Sequence, residues 1–342
     1  MTPTAYFTTS VPVEIIVAAG YKPVDLNNRF ISDHNPLSLV ENAESLGFPG
    51  SCCAWIKGLY SVILKLDYEK KRTKEDVFIA VTEGDCSNAK VLEEIVSVKT
   101  KLKTFLFGYP ASRSTHKVNS EMKRLASFLG TTLERSEQIR KDMKPLREKL
   151  AQLDRLSYLY PGLITGFENH SWLVSSSDMN GDPEMFQKEL DVFLNEVETR
   201  KKNWNCPPKV KKIGFLGVPP IIPVHEFIQE KGGVVIFNEI QREFSMTGNH
   251  SSLAKQYAQY TYPYSARFRF KKALNEVKKR KIDGIVHYVQ SFCHRQIEDM
   301  ILRDMITEEN LNIPVLTIEG DKPLGSIDGR LSTRIEAFLE TI

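Results

Sequence analysis

The chain has few cysteines, no long apolar run, no excess charge of one sign and none of the common short nucleotide-binding motifs, and each lack closes off a class of protein. Five cysteines in 342 residues are too few and too unevenly placed for the disulfide framework of a secreted protein, so reduced thiols are expected. No stretch reaches the roughly 18 consecutive apolar residues of a membrane span, and the opening MTPTAYFTTSVPVEIIVAAG lacks a basic segment followed by an apolar core. A cytoplasmic chain without a membrane partner is the expectation. Charged residues make up 26% of the sequence, both signs are mixed along its length and the formal net charge is +3, which argues against nucleic acid as a partner. The segment GFLGVPP lacks the spaced glycines of a dinucleotide fingerprint. There is also no glycine-rich phosphate loop ending in Gly-Lys-Ser/Thr and no Gly-x-Ser-x-Gly turn, so ATP, NAD and serine-hydrolase sites have no support.

What is present is an alternation of short apolar runs with helical patterns. VEIIVAAG reads as a helix ending at Gly20, KPVDL as a strand, AWIKGLYSVILKLDYE as an amphipathic helix, VFIAVTEG as a buried strand, CSNAKVLEEIVSV as a helix and KTFLFGY as a strand. A second set begins at Lys212: KIGFLGVPPII as strand and loop, VVIFNEI, DGIVHYVQSF and IPVLTIEGD as strands, with HEFIQEKGG, a stretch from Arg267 to Arg280, CHRQIEDMILRDMI and STRIEAFLETI as helices. This rhythm predicts an α/β chain of two doubly wound, Rossmann-like parallel-sheet domains. The expected division is residues 1–116, a helical linker or insert over 117–208, and 209–342.

The cysteines fall at informative places. Cys53 opens the helix AWIKGLYSVILK, Cys86 follows VFIAVTEGD, and Cys293 follows GIVHYVQSF, so each lies where a strand or loop gives way to a helix. In open α/β folds this is the ligand-binding edge, and the positive end of a helix favours the thiolate that binds metal. A single buried cysteine is more often a small core residue than a ligand. Two in equivalent positions, one per domain, shift that balance toward an iron–sulfur cluster. Cys52 is the alternative to Cys53, since adjacent side chains diverge, and Cys206 in the Pro-rich NWNCPPK segment is read as structural or incidental. The paired CxxC spacing of structural zinc is absent. His287, His294 and Glu83 stand near these cysteines as weak candidates for proton transfer. Ordinary hydrogen-bonding or turn roles are the bland reading for all three.

Taken together, PVEIIVAAGYKPVDL, CAWIK, VTEGDCSNAK, YPGLITGFE, KIGFLGVPP, DGIVHYVQSFC, IPVLTIEGD and GRLSTRIEAFLE resemble the 2-hydroxyacyl-CoA dehydratase component D and benzoyl-CoA reductase family over almost the whole length. The resemblance implies two similar α/β domains with a [4Fe–4S] cluster between them, carried onto Cys53, Cys86 and Cys293. It implies a separate ATP-hydrolysing iron–sulfur activator that injects an electron, passed by the cluster to an acyl-CoA thioester. The resulting ketyl radical anion permits dehydration or ring reduction. The resemblance also implies a homodimer or a heterodimer with a homologous subunit, in an oxygen-sensitive enzyme. A double-cubane cluster would want about six thiolates and the chain has five cysteines, so a single cube is expected. The competing expectation is a non-catalytic subunit that relays electrons or serves as a partner.

Overall fold

The computed structural model describes residues 2–69, 72–205 and 209–342; Cys206 lies outside the described residues. The chain forms two compact units. One comprises Met1–Leu146, Ser175–Phe186 and Gly248–Tyr264, the other Arg147–Val174, Gln187–Thr247 and Ser265–Ile342. The helical stretch 117–208 contributes to both.

The first unit is built on a sheet of β1 (Thr4–Phe7), β2 (Lys22–Asp25), β3 (Val77–Glu83) and β4 (Lys103–Gly108) in the order β2-β1-β3-β4. All pairings are parallel, with Tyr6 opposite both Val24 and Phe78, and Ala80 opposite Leu106. Residues Val77 to Val81 are all buried. A β-branched and aromatic run with both faces covered is what a central strand of a parallel sheet requires. The helix Thr115–Leu129 buries Val118, Met122, Leu125, Ala126 and Leu129, an i, i+3/i+4 stripe, and ends at Gly130 in the left-handed region with φ +75°.

The second unit repeats the plan. Its strands β5 (Lys211–Gly217), β6 (Gly233–Asn238), β7 (Gly284–Gln290) and β8 (Val315–Gly320) run parallel in the order β6-β5-β7-β8. Every residue of β7 is buried. The helix Ala266–Arg280 is capped by the Ser265 hydroxyl, which accepts from the Phe268 N–H, and it packs Phe270, Leu274 and Val277 onto Leu216, Ile236 and Ile285. Each such side chain contributes about 1.5–3 kcal/mol when fully buried.

The expected α/β class and doubly wound sheets are what the structure has, and it adds β1. The helix expected to open at Cys86 begins at Asn88, with the Cys86 carbonyl accepting from Ala89 N–H at 3.1 Å. After Cys293 a 3-10 turn, His294–Ile297, precedes the helix Glu298–Glu308.

Candidate functional site at the carboxyl edges of the sheets

Both sheets have the same order, so β1 corresponds to β5 and β3 to β7. The strands stay parallel, but the winding of the chain across the sheet reverses between these two strands in each unit, and the crevice at their carboxyl ends is where open α/β sheets bind ligands. Cys86 follows β3 and Cys293 follows β7, so the two thiols occupy equivalent places in the two units.

In the first unit the turn Glu83–Cys86 is held tightly. Gly84 adopts φ +91°, and a Cβ there would lie 2.7 Å from the Pro263 carbonyl oxygen and 3.0 Å from Tyr109 Cβ; only glycine meets both demands. The Asp85 carboxylate accepts the Thr9 hydroxyl and, at 2.8 Å, the Cys86 N–H. The Thr8 hydroxyl accepts from Val81 N–H at 3.0 Å. The loop after β1 is thereby tied to the loop carrying the half-buried Cys86. Glu83 is exposed, and its Oε1 accepts from Ala111 N–H at 3.2 Å.

Cys53 is buried at the amino end of the helix Ala54–Tyr68, and Cys52 beside it is partly exposed. Burial pushes the Cys52 thiol up against the opposing pull of the Lys57 ammonium. Lys57 is 2% exposed, and its Nζ donates to Glu44 Oε1 at 2.7 Å and to the Gly50 carbonyl at 2.9 Å. The lysine of CAWIK is therefore the anchor of the Gly47–Cys53 loop. That role is hidden in the sequence, where only its place one helical turn after Cys53 is visible. Against this loop a cleft of about 360 Å³ opens, with Phe48, Cys52 and Ile56 on one wall and Asn88, Val91 and Ile95 of the helix Asn88–Thr100 on the other.

Two further groups at this edge are invisible in the sequence because their members lie far apart along it. Glu14 is fully buried and accepts from Gln256 Nε2 at 2.9 Å and from the Tyr257 hydroxyl at 2.8 Å. The rings of Tyr257, Tyr260 and Tyr264 pack around Tyr109, whose hydroxyl donates to the Ser10 carbonyl at 2.7 Å. At the end of β2, Asp25 and Asp178 form a buried carboxyl pair. Asp25 N–H donates to Asp178 Oδ2 at 2.8 Å, the Ser177 hydroxyl to Asp25 Oδ2 at 2.8 Å, and Asn28 Nδ2 to Asp178 Oδ1 at 3.1 Å. Burial, reinforced by Asp25, raises the Asp178 carboxyl to about 7.

In the second unit, Cys293 N–H donates to the Gln290 carbonyl at 3.1 Å and Ser291 N–H to the Gly320 carbonyl at 2.8 Å. The Ser291 hydroxyl and Gln296 Nε2 both donate to Glu319 Oε1, at 2.8 and 3.0 Å. Phe292, between them, is 52% exposed with φ +60°, a left-handed conformation uncommon for an aromatic residue. Beneath the turn, the buried Arg269 joins Glu239 and Glu298, and Glu298 also receives Arg295. His294 is exposed. His287 lies inside β7 with Nδ1 2.8 Å from Asp299 Oδ1. Burial works against ionisation of Asp299, yet hydrogen bonds from His287, Thr317 and Arg303 hold its carboxyl well below the ordinary value. His287 is thus committed to the frame of the sheet.

Cys53 and Cys86 belong to the first unit and Cys293 to the second. Among the described residues, no three His, Cys, Asp or Glu side chains form a group that could hold a metal ion, and no helix is long and apolar enough to cross a membrane. A search of curated proteins returns no match. The family model of the 2-hydroxyglutaryl-CoA dehydratase D-component matches residues 8–342, nearly the entire chain, and with both cysteine-bearing sheet edges inside that match the chain belongs to this family as a dehydratase-type enzyme subunit.

Proposed function

We propose that this subunit holds a [4Fe–4S] cluster on Cys53, Cys86 and Cys293 and acts on an acyl-CoA thioester after one-electron activation by a separate ATP-hydrolysing iron–sulfur protein, paired with a second copy or a homologous subunit. The observation that carries the reading is the equivalence of Cys86 and Cys293, each following the third strand of a β-sheet with the same order. The donor chemistry fits: thiolates are the usual ligands of iron–sulfur clusters, and backbone hydrogen bonds or tied loops fix the chain at each cysteine. Bound there, such a cluster supplies one-electron transfer and one iron without a protein thiolate.

The protein's own part is to hold and shield. Lys57 fixes the loop that presents Cys53, and the Thr9–Asp85 tie fixes the turn that presents Cys86. Cys53 is preferred to Cys52 because it immediately precedes the helix Ala54–Tyr68, whereas Cys52 lines the apolar cleft. Of the candidates, Glu83 and His294 are exposed at the two sheet edges, whereas His287 is buried and engaged by Asp299.

The test is iron and acid-labile sulfide content, with visible and EPR spectra, on protein purified without oxygen. About four irons per chain are expected, lost in Cys53→Ser, Cys86→Ala and Cys293→Ala and retained in Cys52→Ser. Absence of iron after anaerobic reconstitution, or full iron in the Cys86 variant, overturns the assignment.

A further inference from the structure

The cleft beside the Gly47–Cys53 loop is walled by the residue preceding Cys53 and by Asn88, two residues beyond Cys86. It therefore adjoins both cysteine-bearing segments of the first unit. Among the described residues its lining holds no Lys, Arg, His, Asp or Glu; it is made of glycine, proline, aliphatic and aromatic side chains with Ser51, Cys52 and Asn88 as the polar exceptions. Val91 stands at the cleft with 53% of its surface exposed, so one apolar side chain is left unburied beside it.

We propose that this cleft receives the hydrocarbon end of the acyl group, and that the substrate acyl chain is aliphatic or aromatic and not dicarboxylic. The proposal rests on the thioester reading above and narrows it. A cavity of about 150 Å³ suffices for benzene, and this one, at about 360 Å³, has room for a branched six-carbon chain or a phenyl ring. A terminal carboxylate placed there would lose its hydration with no cation to replace it. Each added methylene of a saturated chain should instead tighten binding about fourfold until the cleft is full. The position of Cys52 in the wall provides a reporter, since an occupied cleft shields its thiol.

The experiment uses the full-length protein and N-acetylcysteamine thioesters of butyrate, hexanoate, 4-methylpentanoate, 3-phenylpropanoate and glutarate. Binding is measured by calorimetry, and protection of Cys52 by the rate of its alkylation with N-ethylmaleimide, read by mass spectrometry. The expected result is affinity rising from butyrate to hexanoate and at least tenfold slower alkylation with the longer hydrocarbon thioesters, but no protection by glutaryl thioester at the same concentration. Val91→Trp, a change at an exposed position, should weaken hexanoyl binding at least tenfold, and Val91→Arg should improve glutaryl binding. Equal or tighter binding of the glutaryl thioester by the unaltered chain, or unchanged hexanoyl affinity in Val91→Trp, overturns the proposal. Neither readout needs iron. A chain that binds hydrocarbon thioesters but takes up no iron refutes the cluster alone, and one that holds iron but leaves the cleft empty refutes this inference alone.

Discussion

Lys57 sits almost wholly out of water, and its ammonium makes one bond to a partly exposed carboxylate and one to a backbone carbonyl. Replacing it with Met keeps the apolar stem and removes both bonds, so Lys57→Met should cost about 1–3 kcal/mol, the range for leaving buried polar partners unmade. The loss is read from the urea midpoint, and faster alkylation of Cys52 should accompany it; an unchanged midpoint would deny the lysine its anchoring role. Asp178 carries a second expectation. Its folded carboxyl titrates near 7 against about 4 when unfolded, so between those values the folded chain holds a proton that the unfolded chain has released. The contribution of this carboxyl must then fall as pH rises from about 4 to about 7, by up to about 1.4 kcal/mol per pH unit, and Asp178→Asn should remove that contribution from the pH dependence in denaturant titrations. Neither role could be read along the chain. Lys57 meets its partners through a turn, and Asp178 meets Asp25 across 153 positions.

The strand–loop–helix elements were the legible part. β3 and β7 show as apolar runs because central parallel strands are covered on both faces, and the ends of those runs mark the positions of Cys86 and Cys293. β1 carries no alternation that sets it apart from the residues around it, and the return of residues 248–264 to the first unit has no local signal, since it depends on Gln256 and Tyr257 finding Glu14. Gly84 shows what the turn after β3 demands. Gly84→Ala combines an unfavourable positive φ with a Cβ driven toward the Pro263 carbonyl, so it should cost about 1–3 kcal/mol and displace the turn bearing Cys86. Iron content in anaerobic preparations should drop with it. A Gly84→Ala protein of full stability would mean that the backbone at this turn yields more easily than its packing suggests.

Across the molecule, two buried pairs, one in each unit, respond to acid in opposite senses. In the second, burial lowers His225 to about 4 and, with His225 nearby, holds His170 well below its ordinary value. Gln241 Nε2 lies 3.1 Å from His170 Nδ1, and His225 Nε2 lies 2.7 Å from Asn238 Oδ1. Stabilisation from these neutral rings is complete above about 6.5, the unfolded value, and is lost as pH falls toward 4. In the first unit burial raises the Asp178 carboxyl to about 7 and pushes Asp25 in the same direction, so Asp178 contributes more as pH falls from about 7 toward about 4. Going from pH 7.5 to 5 should therefore loosen β6, which ends at the His225 partner Asn238, and tighten β2, which ends at Asp25, in hydrogen exchange corrected for intrinsic rates; parallel changes in both strands would refute the opposition. The discontinuity of the first unit also has a consequence for biosynthesis. Its Glu14 carboxylate is satisfied by side chains from Gly248–Tyr264, so when Leu146 leaves the ribosome the amino-terminal sheet still lacks those partners. Translation needs on the order of ten seconds more to supply them. A nascent chain stalled in that interval exposes an incomplete unit, and the amino-terminal half of this protein finishes folding only after much of the carboxyl-terminal half has been made.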